Sequence, residues 1–453
     1  MIFLRSRRMR RQSMTSVRAF RRSIAASLAV ASLLMPVTSP WAKPLKQALA
    51  ELMLSHPRIL SNERGVKAAD EGERAADSRF LPTLSLSGDS GMERIDSLTR
   101  RTGQGEPFKD RRDSMTLSLT QNLFDGFESS AGSRIADLET RIADAALERT
   151  RQEVLLEGIV AYLSVLRETE LLQIARRNER TIESQRYLEQ ERFQRGSGLA
   201  VDVLQSEARL EVARERRVAI NGRLEAATAR YIELFDEPPA INRMAPGETP
   251  DNALPGAIEA AIDLGRQNNP VMDRSRSELS IADEERRRSR ADYFPELDFV
   301  VEGSWEDNVD GIAGVRREQR VLLRGRWTLF DGFRREALSA QASERYGAQV
   351  NDHANLGRDI ETRVRRAWVD LKTSRRTAEL LGNAAGIAEK VFEARRTLRR
   401  EGRESLINVL DAEQELNSAR LRRTRAEYSV RIAVFRLLFE TGLLKPEVLN
   451  LSR

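Results

Sequence analysis

The chain has no cysteine. That excludes disulfides, thiolate chemistry and the cysteine-based zinc and iron–sulfur sites. It also excludes a lipid-anchored N-terminus, which needs a cysteine at its cleavage site. Histidine is almost as scarce: His56 and His353 stand alone without metal-ligand spacing, and His56 precedes a proline, where it reads as helix punctuation. There is no phosphate-binding loop and no catalytic constellation, so the residues point to no enzyme and no cofactor. Aromatics are only 6% of the 453 residues. Beyond the N-terminal segment no stretch holds about 18 apolar residues in a row, so no membrane-spanning helix is expected. Acidic residues are missing from one place, the first 42 positions, which carry eight arginines. Those eight exceed the whole formal charge of +6, so the basic balance belongs to that segment and nucleic-acid binding is discounted.

Residues 1–42 have the form of a secretory signal: a basic region to Arg22, an apolar run from Ile24 to Leu34, and cleavage after Ala42. The remainder is rich in charge. Charged residues are 32% of the chain, against about 25% in ordinary domains. That composition suits long helices with two wetted sides and little core.

One stretch occurs twice. Leu123-Phe124-Asp125-Gly126-Phe127 returns as Leu329-Phe330-Asp331-Gly332-Phe333, 206 positions later. Each copy ends an alternating segment and begins a long helical one. Upstream, Pro57 and Pro82 are 25 residues apart, as are Pro270 and Pro295. After each second proline the period becomes two. Leu84 and Leu86 alternate with serines, and Met115, Leu117 and Leu119 with Thr116 and Ser118. Leu297, Phe299 and Val301 form one later series, and Val321, Leu323, Trp327 and Leu329 another. These patterns predict two hairpins, 83–124 and 296–330, with loops near Gly88–Asp113 and Glu306–Gln319. About ten residues per strand suits a tilted membrane strand. Phe80, Phe124, Phe127, Tyr293, Phe294, Trp327, Phe330 and Phe333 gather at the helix-proximal strand ends, where a membrane interface would hold them; the alternative is core packing at a sheet end. Asp125 with Glu128 suits a capping box, while the second copy has Asp331 with Arg334.

Long helices are expected over 130–195 and 335–400, turning at Gly196 and Gly402 into return helices 200–235 and 405–439. The turn regions align at the same offset: Val203-Leu204 with Val409-Leu410, and Glu207 with Glu413. Prolines at 238, 239, 246, 250 and 255 mark a linker. The expected organisation is therefore a signal peptide 1–42, a first unit 43–237, a linker 238–256, a second unit 257–444 and a tail 445–453.

The signal peptide, the duplicated helix–hairpin–helix–helix unit, the matched prolines, the repeated Leu-Phe-Asp-Gly-Phe and the Gly-Leu turn before Val203-Leu204 together resemble the TolC family of outer-membrane channel-tunnels. The resemblance covers nearly the whole mature chain. It implies an α+β membrane protein: a trimeric 12-stranded β-barrel, four strands per chain, continued by a long periplasmic α-helical barrel. Independently, four strands cannot close a membrane barrel, which takes about eight, and open edges cannot sit in lipid, so the chain must oligomerise. The implied partners are two further copies, outer-membrane lipid, a periplasmic adaptor and an inner-membrane ABC transporter or other pump.

The resemblance also places the periplasmic entrance at the turns. Asp411 matches one member of a paired aspartate ring; Asn408 departs from the other. A ring of Asp411 would favour cations; the alternative is one more solvated helix charge. Asp202 matches an aspartate in the polar links that close the entrance, with Arg403 as its candidate partner. Gly198-Leu199 matches the tip that meets the adaptor; the alternative is a tight turn that needs glycine. The Phe-Asp-Gly-Phe junctions (Pro82, Phe124, Asp125 and Gly126; Pro295, Phe330, Asp331 and Gly332) lean toward the type I secretion branch over small-molecule efflux. The rival reading is a periplasmic coiled-coil adaptor, which would need an anchor and a single hairpin.

Overall fold

The computed structural model describes residues 45–103 and 105–451; the expected signal segment lies outside them. Two short helices open the chain, α1 (Leu45–Ser55) and α2 (Pro57–Asp77). The break between them is chemical. Pro57 has no N–H to donate and suits the first helical position, and His56 caps α2 by accepting the Arg58 N–H on Nδ1 at 3.2 Å. A hairpin follows, β1 (Thr83–Ile95) and β2 (Phe108–Phe124), with a six-residue helix α3 (Leu98–Gly103) in its loop. Then come α4 (Glu128–Gln194) and α5 (Ala200–Phe235).

The same order of elements recurs. It runs α6 (Ile258–Asn268), α7 (Pro270–Arg288), β3 (Glu296–Asp307), β4 (Val315–Arg326), α8 (Arg334–Arg400) and α9 (Leu406–Glu440). Here Asn269 caps α7, accepting the Val271 N–H at 3.0 Å ahead of Pro270. Both α4 and α8 have 67 residues, which at 1.5 Å per residue is about 100 Å of helix.

The strands form one antiparallel sheet in the order β1-β2-β3-β4. Leu84, Leu86, Met115, Leu117, Phe299, Val301, Val321 and Leu323 share one face by register, and all are exposed. The other face carries Ser85, whose hydroxyl lies 2.8 Å from that of Ser118, and Thr116, Glu302, Arg320 and Arg324. No strand lies beyond β1 or β4 among the described residues. The strands are longer and the loops shorter than the alternation suggested, because pairing continues into the polar ends: Glu93↔Asp110 and Glu306↔Arg316 are still in register. The last strand is shorter than expected. Trp327 and Leu329 lie past its end at Arg326. The chain there is held by the helix start, with the Arg335 guanidinium donating to the Thr328 and Leu329 carbonyls at 2.9 and 3.1 Å.

The main core is a waist at mid-helix. Leu49 and Leu52 of α1, Leu155, Ile159, Tyr162 and Leu163 of α4, Ile360 and Val364 of α8, Val434, Leu437 and Leu438 of α9, and Leu444 beyond it are buried together. Gly158 admits this packing, since a methyl there would meet Leu52 Cδ2 at 2.6 Å. The linker covers the waist, its Ala245 N–H donating to the Tyr162 hydroxyl at 3.2 Å. The start of α2 and the end of α5 reach the same point of α4, for Arg58 of α2 and Arg230 of α5 both pair with Glu157, at 2.9 and 2.8 Å. Helix α7 packs against both α4 and α8. The two long helices differ in burial. Helix α4 buries residues from Ser129 to Glu189, whereas α8 buries only Arg335, Ile360, Val364, Ala367, Leu371, Ala385 and Phe392. No helix among the described residues is long and apolar enough to cross a membrane.

Candidate functional site at the helix ends

At the sheet end, Pro82 and Pro295 each lead directly into a strand. Phe124 closes β2, and Gly126 and Phe127 both turn left-handed, with φ of 66° and 72°. Asp125 caps α4 from outside the turn. Its Oδ2 accepts the Ser129 N–H at 2.8 Å and the Ser129 hydroxyl. The expected capping box does not form, because two consecutive left-handed residues move the helix start to Glu128, whose carboxylate instead faces Arg79 at 3.6 Å. The second junction is built the same way. Gly332 and Phe333 have φ of 72° and 66°, and Asp331 Oδ2 accepts the Arg335 N–H at 3.2 Å. Around the first junction Phe124, Phe127 and Phe294 form a mutually edge-on triad with centroids 5.3–6.2 Å apart. At the second, Phe330 and Phe333 form only a pair, 5.5 Å apart, and both are at least 70% exposed.

At the far end each long helix stops in a Schellman turn. Gly196 and Gly402 are both left-handed at φ 74°. The Ser197 N–H returns to the Arg192 carbonyl at 3.0 Å, and the Arg403 N–H to that of Leu398 at 2.9 Å. Gly198 is fixed by space, since a Cβ would sit 2.7 Å from the Phe193 nitrogen. Leu199 stays extended and exposed before α5.

The charges at the tip pair differently from the sequence expectation. Asp202 faces Arg399 at 3.7 Å, and Arg403 faces Glu401 at 3.6 Å. The reason is the turn. It spends Gly402 and Arg403 on closing the helix and leaves Arg403 exposed, while Arg399, one turn earlier, points at the neighbouring hairpin. Arg399 also reaches Glu189 at 3.4 Å and donates to the Glu404 carbonyl at 3.2 Å. Asp411 is paired within the chain, with Arg209 at 2.6 Å. Asn408 donates to Glu404 at 2.6 Å. That bond, then one from the Ser405 N–H, holds the Glu404 carboxyl below its usual range. Beneath the tip, Glu413 is buried against α4, and burial pushes its carboxyl up to about 7. An arginine-rich groove of about 630 Å³ lies between α4 and the α8–α9 turn, lined by Arg177, Arg180, Arg192, Arg396 and Arg399.

Arg399, Arg209 and Glu404 were not found from sequence, and Glu413 was noted only as the match of Glu207. A basic residue in the last turn is a weak signal for Arg399. Arg209 and Asp411 are 202 residues apart, and no local pattern joins them. Among the described residues no acidic or histidine cluster could hold a metal.

Among the described residues the arrangement is one of surfaces and ion pairs. It has an exposed apolar sheet at one end, hairpins tied by charge at the other, and about 100 Å of helix between. The family model described as "Outer membrane efflux protein" matches residues 48–233 and 261–443. The chain is 28% identical over 381 residues to the alkaline protease secretion protein AprF of Pseudomonas aeruginosa, covering 82% of this chain and 79% of that one. It is 21% identical to the outer membrane protein TolC of Escherichia coli, over 90% of this chain and 83% of the other. Its fold matches the outer-membrane channel CmeC of Campylobacter jejuni with a TM-score of 0.77 at 15% identity, covering 88% and 85%. Because the family match takes in both strand pairs and both long helices, the chain belongs to the outer membrane efflux protein family, outer-membrane channels that reach into the periplasm rather than enzymes.

Proposed function

We propose that this chain is the outer-membrane exit duct of a tripartite type I protein secretion machine. Three copies supply four strands each to a 12-stranded barrel, and their helices form the periplasmic tube. The observation that carries this reading is the sheet, which has an exposed apolar face and two unpaired edge strands. In lipid each unpaired backbone group costs several kcal/mol, so the edges must meet other copies. The matching order and length of α1, α2, α4 and α5 with α6, α7, α8 and α9 support two internal repeats, 43–237 and 257–444, joined by the linker 238–256, with α3 as an addition to the first. Lipid surrounds the barrel, and the aromatic residues at the strand ends lie at its inner interface. The tip turns at Gly198-Leu199 and Arg403 meet a periplasmic adaptor, and an inner-membrane ABC transporter supplies the energy.

Protein export is favoured by the relatives named for secretion, AprF and the proteases secretion protein PrtF of Dickeya chrysanthemi, 24% identical over 73% of this chain. A second reading, small-molecule efflux, is favoured by the outer membrane efflux protein BepC of Brucella suis, 21% identical over 97% of the chain. Comparing the secreted proteins of cells with and without this gene tests the choice. Loss of particular secreted proteins is expected; an unchanged secretome with lost drug tolerance would reverse it.

A further inference from the structure

The two halves are related by two fixed offsets, and these give the contact that one chain makes with the next. Thr83↔Thr120 of the first hairpin becomes Glu296↔Arg326 of the second when β1 is advanced by 213 positions and β2 by 206. The same offsets relate finer contacts. Gln121 donates its amide N–H to the Phe80 carbonyl at 3.1 Å, and Trp327 donates its indole N–H to that of Tyr293 at 3.3 Å. The pairing of β2 with β3 has no counterpart within the chain, since no strand lies beside β4 on its outer side among the described residues.

Resting on the proposed oligomer, we infer that β4 of one copy pairs antiparallel with β1 of a second copy in the register that sets Gly325 opposite Gly88. This is the Leu119↔Val301 pair of β2 and β3 moved by the two offsets. Three features of the single chain agree with it. First, the register places Arg324 opposite Asp89 and Arg320 opposite Glu93 on the polar face, two direct opposite-charge pairs; a slip of two residues one way loses both and sets Glu318 against Glu93, and the other way leaves a single pair, Arg326 opposite Asp89. The Arg324 side chain makes no hydrogen bond or ion pair among the described residues, with Asp298 opposite it on β3. Asp89 already faces Arg112 at 3.3 Å and accepts from Ser114, Glu93 accepts the Gly311 N–H at 3.2 Å, and Arg320 faces Glu318 at 2.7 Å. Second, β4 stops at Arg326 while β2 continues to Phe124, held at its end by Leu297. The residue matching Leu297 is Leu84, which only a second copy can bring to Phe330. Third, Gly126 lies so close to the Ala291 carbonyl that a methyl would overlap it, and Phe294 completes the aromatic triad there. Around Gly332 nothing lies within 4 Å, and Phe330 and Phe333 are exposed. The offsets bring the second copy's Ser78 carbonyl to Gly332 and its Leu81, 64% exposed, onto the two rings.

The absence of cysteine makes the register directly readable. Full-length chains carrying Arg324→Cys with Asp89→Cys, or Leu323→Cys with Ser90→Cys, are oxidised in outer membranes and boiled before non-reducing electrophoresis. Covalent dimers and trimers are expected from both pairs, together covering hydrogen-bonded and non-hydrogen-bonded positions. They are not expected from single variants, nor at comparable yield from the slipped pairs Leu323→Cys with Gly88→Cys or with Met92→Cys. Cross-linking through a slipped pair, in protein that is trimeric before boiling, overturns the register and leaves the trimer standing. Protein that is monomeric before boiling and cross-links nowhere overturns the register and the exit-duct reading together. As a second measurement, Arg324→Asp should lower the temperature at which the trimer dissociates by several degrees, and adding Asp89→Arg should restore it; no shift from either variant counts against the charge pairing.

Discussion

Glu207 and Glu413 stand at matching places in the two halves, yet only Glu413 is buried. Its carboxyl is pushed up to about 7, first by burial. Below about pH 4.5 folded and unfolded chains both hold this proton. Between there and about pH 7 the folded chain keeps a proton that the unfolded chain releases, so stability falls as pH rises and then levels off. The span corresponds to about 3 kcal/mol at most. Thermal melting of Glu413→Gln should lack this slope and show its largest gain over the parent near pH 8; an unchanged slope would assign the pH dependence to other groups. Glycine gives a second comparison. Gly126→Ala meets both a left-handed φ, about 1–2 kcal/mol, and the Ala291 carbonyl. Gly332→Ala meets only the first within one chain, so it should weaken the heat-stable oligomer more than the fold, read by gel migration against temperature. At this scale the sequence was least legible. Repeated residues revealed corresponding positions, but whether a glutamate is buried or an aspartate pairs with Arg399 rather than Arg403 depends on packing between hairpins some 200 residues apart.

Elements were legible where local chemistry sets them. Pro57 and Pro270 start helices, Gly196 and Gly402 end them, and alternation marked each strand. The exceptions are the strand limits. Period-two hydrophobicity reports a wetted and an apolar face, but pairing persists into polar residues at the loop ends and stops before Trp327, where Arg335 takes the Thr328 and Leu329 carbonyls. Caps differ in what rests on them. Asn269 is fully buried, caps α7, and donates to the Glu440 carbonyl at 3.1 Å, tying α9 to the α6–α7 break. Asn269→Ala loses the cap, about 1 kcal/mol, and orphans a carbonyl, about 1–3 kcal/mol more. His56→Ala loses a cap alone, so melting temperatures should rank Asn269→Ala well below His56→Ala, and equal losses would remove the Glu440 contact from the account.

For the whole molecule the consequential contact is the tie between hairpins at the tip. Arg399 joins the α8–α9 turn to Glu189 and Asp202 of the other hairpin. It is one quarter exposed, so the network is only partly screened. Arg399→Ala should leave the barrel end and oligomer intact while raising single-channel conductance in planar bilayers. Unchanged conductance would mean that the tie does not restrict the passage. The order of elements, a strand pair running into a long helix and the same again, was visible from the duplicated Leu-Phe-Asp-Gly-Phe and its spacing. That four strands with open edges call for further copies follows from the strand count; which residues would meet there was not legible, because an edge strand's outer neighbour leaves no mark in a single chain's periodicity.

Neither α4 nor α8 contains a proline, and each is one continuous helix. A rod of this kind works as a ruler. Its far end stands at a depth set by residue count, and it cannot telescope to suit a wider or narrower compartment. Removing seven residues from each of α4, α5, α8 and α9, about two turns, would withdraw the tip by about 10 Å without disturbing the barrel. Export should then fail in assembled cells though the purified channel still conducts, and a matching shortening of the docked machinery should bring it back.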